Sequence, residues 1–208
     1  MNPRYGSKPY TRLAGARLQP LGQLSTCKGT IDWCLVSISQ FSSKRYSSYM
    51  ELQLDNHSDE HYMRLALDEA AKAAELGEVP IGAVVVNADG VIVTAHNRRE
   101  LDRDPSAHAE FIALRDTAQK LGRWRLSDCT VYVTLEPCPM CAGLMQQARI
   151  KRCVYAAPDP KAGALGTLYR LHDDKRLNHS FQVNSGVLEE ESRTLLQNFF
   201  AQLRGKRS

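Results

Sequence analysis

Regular spacing of apolar and polar positions begins at Ser58 and continues almost to the end of the chain. Behind Ser58, whose hydroxyl suits a helix N-cap, Met63, Ala66, Leu67, Ala70 and Ala74 recur at helical spacing, and Gly77 supplies a stop. Residues 81–86 are an apolar run with branched side chains, the mark of a buried strand, and residues 87–90 turn the chain into a second strand at 91–95. The pattern then predicts a helix over about 107–121, a strand at 130–135, a helix opening at 137–138 and a strand at 150–156. A glycine-containing loop at 159–167 leads to a short strand near 182–187. A last helix over 189–203 presents Leu195, Leu196, Phe199, Phe200 and Leu203. A hairpin followed by helix–strand alternation predicts an α/β fold, a three-layer αβα arrangement with helices on both faces of a five-stranded mixed sheet.

Before residue 50 neither period is sustained. Residues 1–49 hold eight serines, scattered Gly and Pro, and seven Lys or Arg against the single acid Asp32, a charge of +6. Such a segment buries too little apolar surface to offset its ordering entropy, so it is expected to be a disordered extension. Its Arg and Ser content resembles an organellar transit peptide, but no amphipathic helix is evident, which favours Met50 as the natural start. Residues 50–208 carry twenty bases against twenty-two acids, so the net +4 of the 208-residue chain belongs to its first quarter. The longest apolar run, residues 79–86, is too short to cross a bilayer, and no membrane association is expected. With 43% hydrophobic and 24% charged residues, the composition is that of a globular chain with one substantial core.

The candidate chemistry lies in His108-Ala109-Glu110 and Pro137-Cys138-Pro139-Met140-Cys141. Cys138 and Cys141, three apart at a helix start, share a face and can grip one ion, and a helix N-terminus favours the thiolate form. His108 adds a nitrogen, and one imidazole with two thiolates suits zinc. Three identifiable ligands leave a place for water, as catalytic zinc sites do, and Glu110 is close enough in sequence to exchange that water's proton. Taken alone, the Cys pair also suits a structural half-site or a redox pair; the His-x-Glu thirty residues upstream weighs against both.

The H-x-E and P-C-x-x-C elements are the signature of zinc nucleobase deaminases. Between about Ser58 and Leu203 the chain closely resembles the bacterial tRNA-specific adenosine deaminases, within the cytidine deaminase-like superfamily. The resemblance runs through residues 79–84 (VPIGAV), 104–110 (DPSAHAE), 134–143 (TLEPCPMCAG), 159–164 (DPKAGA) and 177–179 (LNH), with Phe199-Phe200 in the tail. It implies that residues 50–208 form a zinc-dependent deaminase domain. The implied reaction is hydrolytic deamination of adenosine to inosine at the wobble position of a tRNA anticodon, by zinc-bound hydroxide. One Zn2+ per subunit would be held by His108, Cys138 and Cys141, with Glu110 as the proton shuttle. Asn97 would contact the base, a position that also suits turn capping, and Pro80, Ile81, Leu135 and Pro137 would line the pocket. The anticodon stem-loop would be held by Arg98, Arg99, Arg103, Lys161 and Arg204, with His179, Phe199 and Phe200 as further candidates. The family's homodimer and a cytoplasmic location complete the expectation. A free-nucleobase deaminase acting on guanine or cytosine is the alternative, because those enzymes share the metal motif. The Thr-Leu-Glu lead, the Lys161–Gly163 loop and the Phe-Phe tail favour the tRNA enzyme.

Overall fold

The computed structural model describes residues 58–205, so the expectations for residues 1–49 and for a boundary at residue 50 lie outside the described residues. Helix α1 (Asp59–Glu75) opens as expected, the Ser58 side chain accepting the His61 N–H at 3.1 Å. Its buried stripe is Tyr62, Met63, Ala66, Glu69, Ala70 and Ala73, with Leu67 and Ala74 half-buried at its margin. Strands β1 (Gly82–Asn87) and β2 (Gly90–His96) form the hairpin, and a short helix α2 (Arg99–Asp102) that the periodicity does not reveal follows. Then come α3 (Ala109–Leu121), β3 (Thr130–Leu135), α4 (Pro139–Ala148), β4 (Arg152–Ala157), β5 (Gln182–Ser185) and α5 (Glu189–Gly205).

The sheet has five strands in the order β2-β1-β3-β4-β5. β1 runs antiparallel to β2 and β3, and β3, β4 and β5 run parallel. The strand period of two sorts side chains cleanly between the faces. Ala83, Val85, Val131, Val133, Cys153 and Tyr155 join a cluster with Ala113 and Leu114 of α3 and Ala142 and Met145 of α4. Their neighbours Val84, Val86, Tyr132, Val154 and Ala156 join Tyr62, Met63 and Ala66 of α1 on the opposite face. Helix α5 covers the same side, where the Ser192 hydroxyl donates to the Thr134 carbonyl at 2.5 Å. The expected three-layer αβα fold is thus present, and its strands read as apolar runs because both faces are covered.

One contact sets how closely α1 lies on the sheet. A Cβ on Gly82 would fall 2.0 Å from the Ala66 carbonyl oxygen and 2.6 Å from the Ala70 nitrogen, so only glycine admits the helix at this distance. No helix among the described residues is long and apolar enough to cross a membrane.

Candidate active site

The chemistry-bearing residues gather at one end of the sheet, beyond the carboxyl ends of β2, β3 and β4, where ligands of α/β folds commonly sit. The two helices bearing the motifs start later than the sequence period suggests. α3 begins at Ala109 with His108 as an extended N-cap, and α4 begins at Pro139 with Cys138 as its extended N-cap. His108 and Cys138 thus stand at the starts of two helices, with their side chains free to converge. The His108 Nδ1 lies 3.7 Å from Cys138 Sγ and 3.6 Å from Cys141 Sγ, and the three donor atoms all fall within 4.8 Å of one another. A tetrahedral ion with Zn–N of about 2.0 Å and Zn–S of about 2.3 Å would separate nitrogen from sulfur by about 3.5 Å. The donor set therefore fits a metal ion in both spacing and chemistry.

The electrostatics of the thiols follow from the same geometry. The Cys138 thiol is pulled down to about 4 by the hydrogen bond from Cys141, against burial and with help from the His108 ring. Cys141 is driven far up, first because it donates to Cys138, then by burial and the nearby Glu110. Glu110, in the first turn of α3, is 3% exposed, and burial raises its carboxyl above the ordinary range. Burial thus favours the protonated carboxyl more than water would, the direction a general acid needs.

Backbone bonds tie the other candidates to this centre. The Asn97 N–H donates to the Ile81 carbonyl at 2.9 Å, and the Arg98 N–H to the Ala107 carbonyl at 3.0 Å, which seats Asn97 beside the His108 turn. Pro80 and Pro137 are buried, while Ile81 and Leu135 are half-buried. Leu135 opens onto a groove of about 430 Å³ together with Pro158, Pro160, Lys161, Leu196, Phe200 and Arg204. Phe199 is buried and Phe200 is 43% exposed, so the two rings of α5 separate into a core residue and a surface one. Arg98 is paired with Asp102 at 2.8 Å, and Arg99, Arg103 and Lys161 are exposed. His179 is half-buried; its Nε2 donates to the Ile150 carbonyl at 2.8 Å and its ring stacks near Phe181, away from any free surface role for that nitrogen.

Two carboxylates that sequence reasoning passed over organise the site. Glu78 is 1% exposed; its Oε2 accepts the Asn97 amide at 2.9 Å and its Oε1 accepts the N–H groups of Glu100 and Leu101 at 2.8 Å each. Because a carboxylate only accepts, the nitrogen end of the Asn97 amide faces Glu78 and Oδ1 does not. Glu136, 2% exposed, gathers the N–H groups of Asp159, Leu165 and Thr167. Burial works to raise Glu136, but the donors from Thr167, Asp159 and Leu165 hold it below the usual carboxylate range. Glu136 shows in the sequence only as the last residue of the Thr-Leu-Glu lead, with no role attached, and Glu78 only as an acid placed before the apolar Val79-Pro80.

Comparison with known proteins agrees with this assembly. Residues 57–204 match the MafB19-like deaminase family. The chain is 50% identical over 149 residues to a tRNA-specific adenosine deaminase of Bacillus subtilis, covering 72% of this chain and 92% of that protein. It is 48% identical over 147 residues to that of Haemophilus influenzae, covering 70% and 85%. A solved tRNA:A34 deaminase superposes with a TM-score of 0.63 at 45% identity, over 65% of this chain and 99% of that one. A guanine deaminase from Nitrosomonas europaea, at 23% identity and a TM-score of 0.61 over 73% of this chain and 92% of its own, shares the fold alone. With identity at this level across nearly the whole length of such relatives, and with the His–Glu and Cys–Cys elements meeting at one end of the sheet, the chain belongs to the tRNA-specific adenosine deaminases.

Proposed function

We propose that this protein hydrolyses adenosine to inosine at the wobble position of a tRNA anticodon. The observation that carries the reading is a buried carboxyl, Glu110, set beside three converging donors from two helix starts. His108, Cys138 and Cys141 would hold a zinc ion, which when bound supplies a Lewis acid that makes water nucleophilic at neutral pH. Glu110 moves the protons: it takes one from the water that adds to C6 and delivers it to the ring nitrogen N1, then takes the second from the new C6 hydroxyl and passes it to the departing amine as the C6–N bond breaks and C6=O forms. Water is consumed and ammonia leaves, with no redox step. Its burial supports this cycle, because a carboxyl with a raised pKa passes between both states without a large free-energy cost. Asn97, held by Glu78, would read the purine edge.

An anticodon loop presents unstacked bases, so no duplex need be opened. The groove between the loop after β4 and helix α5 supports RNA docking, since it combines Lys161 and Arg204 with the exposed Phe200 ring on which a base could stack. Arg99 and Arg103, both exposed at the short helix α2, would contribute phosphate contacts, as would Arg98 beside its Asp102 partner. Salt should weaken binding in proportion to the phosphates neutralised. A homodimer is the expected state. The apolar groove of about 420 Å³ between α3 and α4, lined by Phe111, Leu114, Leu144 and Trp124, the last 58% exposed, is the surface that supports self-association. The cytoplasm is the compartment where such an enzyme would meet its tRNA.

The deciding experiment incubates the purified protein with an anticodon stem-loop RNA and sequences it for A read as G at the wobble position. Free guanine and cytosine serve in parallel; turnover of either base with no inosine in the RNA would establish the free-base alternative instead. Glu110→Ala should keep zinc and RNA binding yet lose deamination, and retained activity would overturn the proton-transfer role.

A further inference from the structure

Between β4 and β5 the chain makes a long excursion, residues 158–181, with no helix or named strand. Its first part is nevertheless tightly tied, and four of those hydrogen bonds lead to one side chain. Glu136 Oε1 accepts the N–H groups of Leu165 and Thr167, both at 3.0 Å. Its Oε2 accepts the Asp159 N–H at 3.1 Å and the Thr167 hydroxyl. Gly163 lies so close that a Cβ there would stand 2.3 Å from Glu136 Oε2 and 2.6 Å from the Asp159 carbonyl oxygen. A parallel strut joins the Ala164 N–H to the Pro137 carbonyl at 2.9 Å. The loop is therefore clamped to Glu136 and Pro137, the two residues immediately before the metal-ligating candidate Cys138.

The outer surface of the clamped segment carries Pro160 and Lys161, which form one wall of the groove whose other wall is Leu196, Phe200 and Arg204 of α5. We propose that Glu136 is a positioning residue for RNA: it holds the 159–167 loop in register with the Cys138 turn, so the groove is formed before the substrate arrives. The inference rests on the reading of that groove as an RNA-docking surface. Its physical basis is preorganisation. A backbone without ladder hydrogen bonds must otherwise be ordered during association, and that ordering weakens binding. Glu136 acts on how well the RNA is held and leaves the reacting atoms to His108, Glu110 and the two cysteines.

Glu136→Gln tests this with little change of shape. An amide nitrogen cannot accept, so either the Asp159 N–H or the pair from Leu165 and Thr167 loses its partner. Thr167→Val removes only the hydroxyl from an exposed position and serves as the second, milder variant. Steady-state kinetics and fluorescence anisotropy on an anticodon stem-loop RNA are measured alongside zinc content and thermal unfolding. Glu136→Gln should raise KM and Kd about tenfold, with kcat within about threefold and zinc unchanged; Thr167→Val should shift KM the same way by about threefold, roughly 0.65 kcal/mol. Unchanged KM in both folded variants overturns the proposal. So does a fall in kcat with loss of zinc at constant KM, which would make Glu136 a support of the metal turn. Should Glu136→Gln not fold, the KM of Thr167→Val decides. A wild-type protein inactive on the stem-loop would refute the parent reading, whereas an active wild type with unaffected variants refutes only this one.

Discussion

Replacing Glu78 by Gln separates the support of Asn97 from the chemistry of the metal centre. The carboxylate is 1% exposed and takes three donors, one from Asn97 and two from the backbone that starts α2. A glutamine has only one oxygen. If that oxygen stays with the Glu100 and Leu101 N–H groups, its amide nitrogen confronts the Asn97 nitrogen, donor against donor. The conflict is relieved when the Asn97 amide turns over, which places a donor where Oδ1 had been. Exchanging three charge-assisted bonds worth about 1.5–3 kcal/mol each for neutral ones worth about 0.5–1.5 kcal/mol costs about 3–4 kcal/mol of stability in all. In a domain of this size that is roughly 6–16 °C in Tm. At the base, an inverted donor–acceptor pattern costs about 1.4–3 kcal/mol of transition-state binding, or about 10- to 100-fold in kcat/KM. The assay is inosine formation in a stem-loop RNA beside thermal unfolding. The pair Glu78→Gln with Asn97→Asp supplies an internal control: one Asp oxygen accepts from the Gln amide and should recover stability, while the other restores the acceptor but not the amide's donor, so activity should return only in part. A single variant with kcat/KM within twofold of wild type and Tm within about 1 °C would refute the argument.

Gly82→Ala should destabilise the domain by about 3 kcal/mol or more, because the added carbon collides with the α1 backbone at Ala66 and Ala70, which cannot step aside as a side chain could; a loss under about 1 kcal/mol in denaturant unfolding would contradict it. Asp59, joined bidentately to Arg152 and accepting from the Tyr132 hydroxyl, is held below the usual carboxylate range chiefly by that arginine. A depressed folded pKa stabilises above the unfolded value near 3.9 and loses that contribution as pH falls through the folded value. Asp59→Asn should therefore cost about 1 kcal/mol at pH 7 and progressively less below about pH 4; a pH-independent difference would exclude the pair as its source. Dialysis against a strong chelator should abolish deamination, with recovery on adding one zinc per chain, and activity that survives full metal removal would displace His108, Cys138 and Cys141 from their assigned role.

Much of the fold follows from the sequence, because every strand and every long helix here obeys a single local period. The apolar runs at 81–86 and 130–135 name strands whose two faces are both covered, and Ser58 marks a helix start that its hydroxyl then caps. The metal candidates are legible for a similar reason: His108, Glu110, Cys138 and Cys141 carry chemistry that few other spacings would serve. What the linear pattern could not carry is any feature made by residues far apart in the chain. Helix α2 is four residues long, too short for a period, and exists because Glu78 accepts two of its N–H groups. Phe199 and Phe200 are indistinguishable as letters, yet one is buried and the other faces a groove, a choice made by how α5 lies on the sheet. Glu78 and Glu136 have no role that the linear pattern assigns. It is the cost of burying a carboxylate, met by partners 19 to 31 residues away, that ties Glu78 to the Asn97 amide and Glu136 to the 159–167 loop.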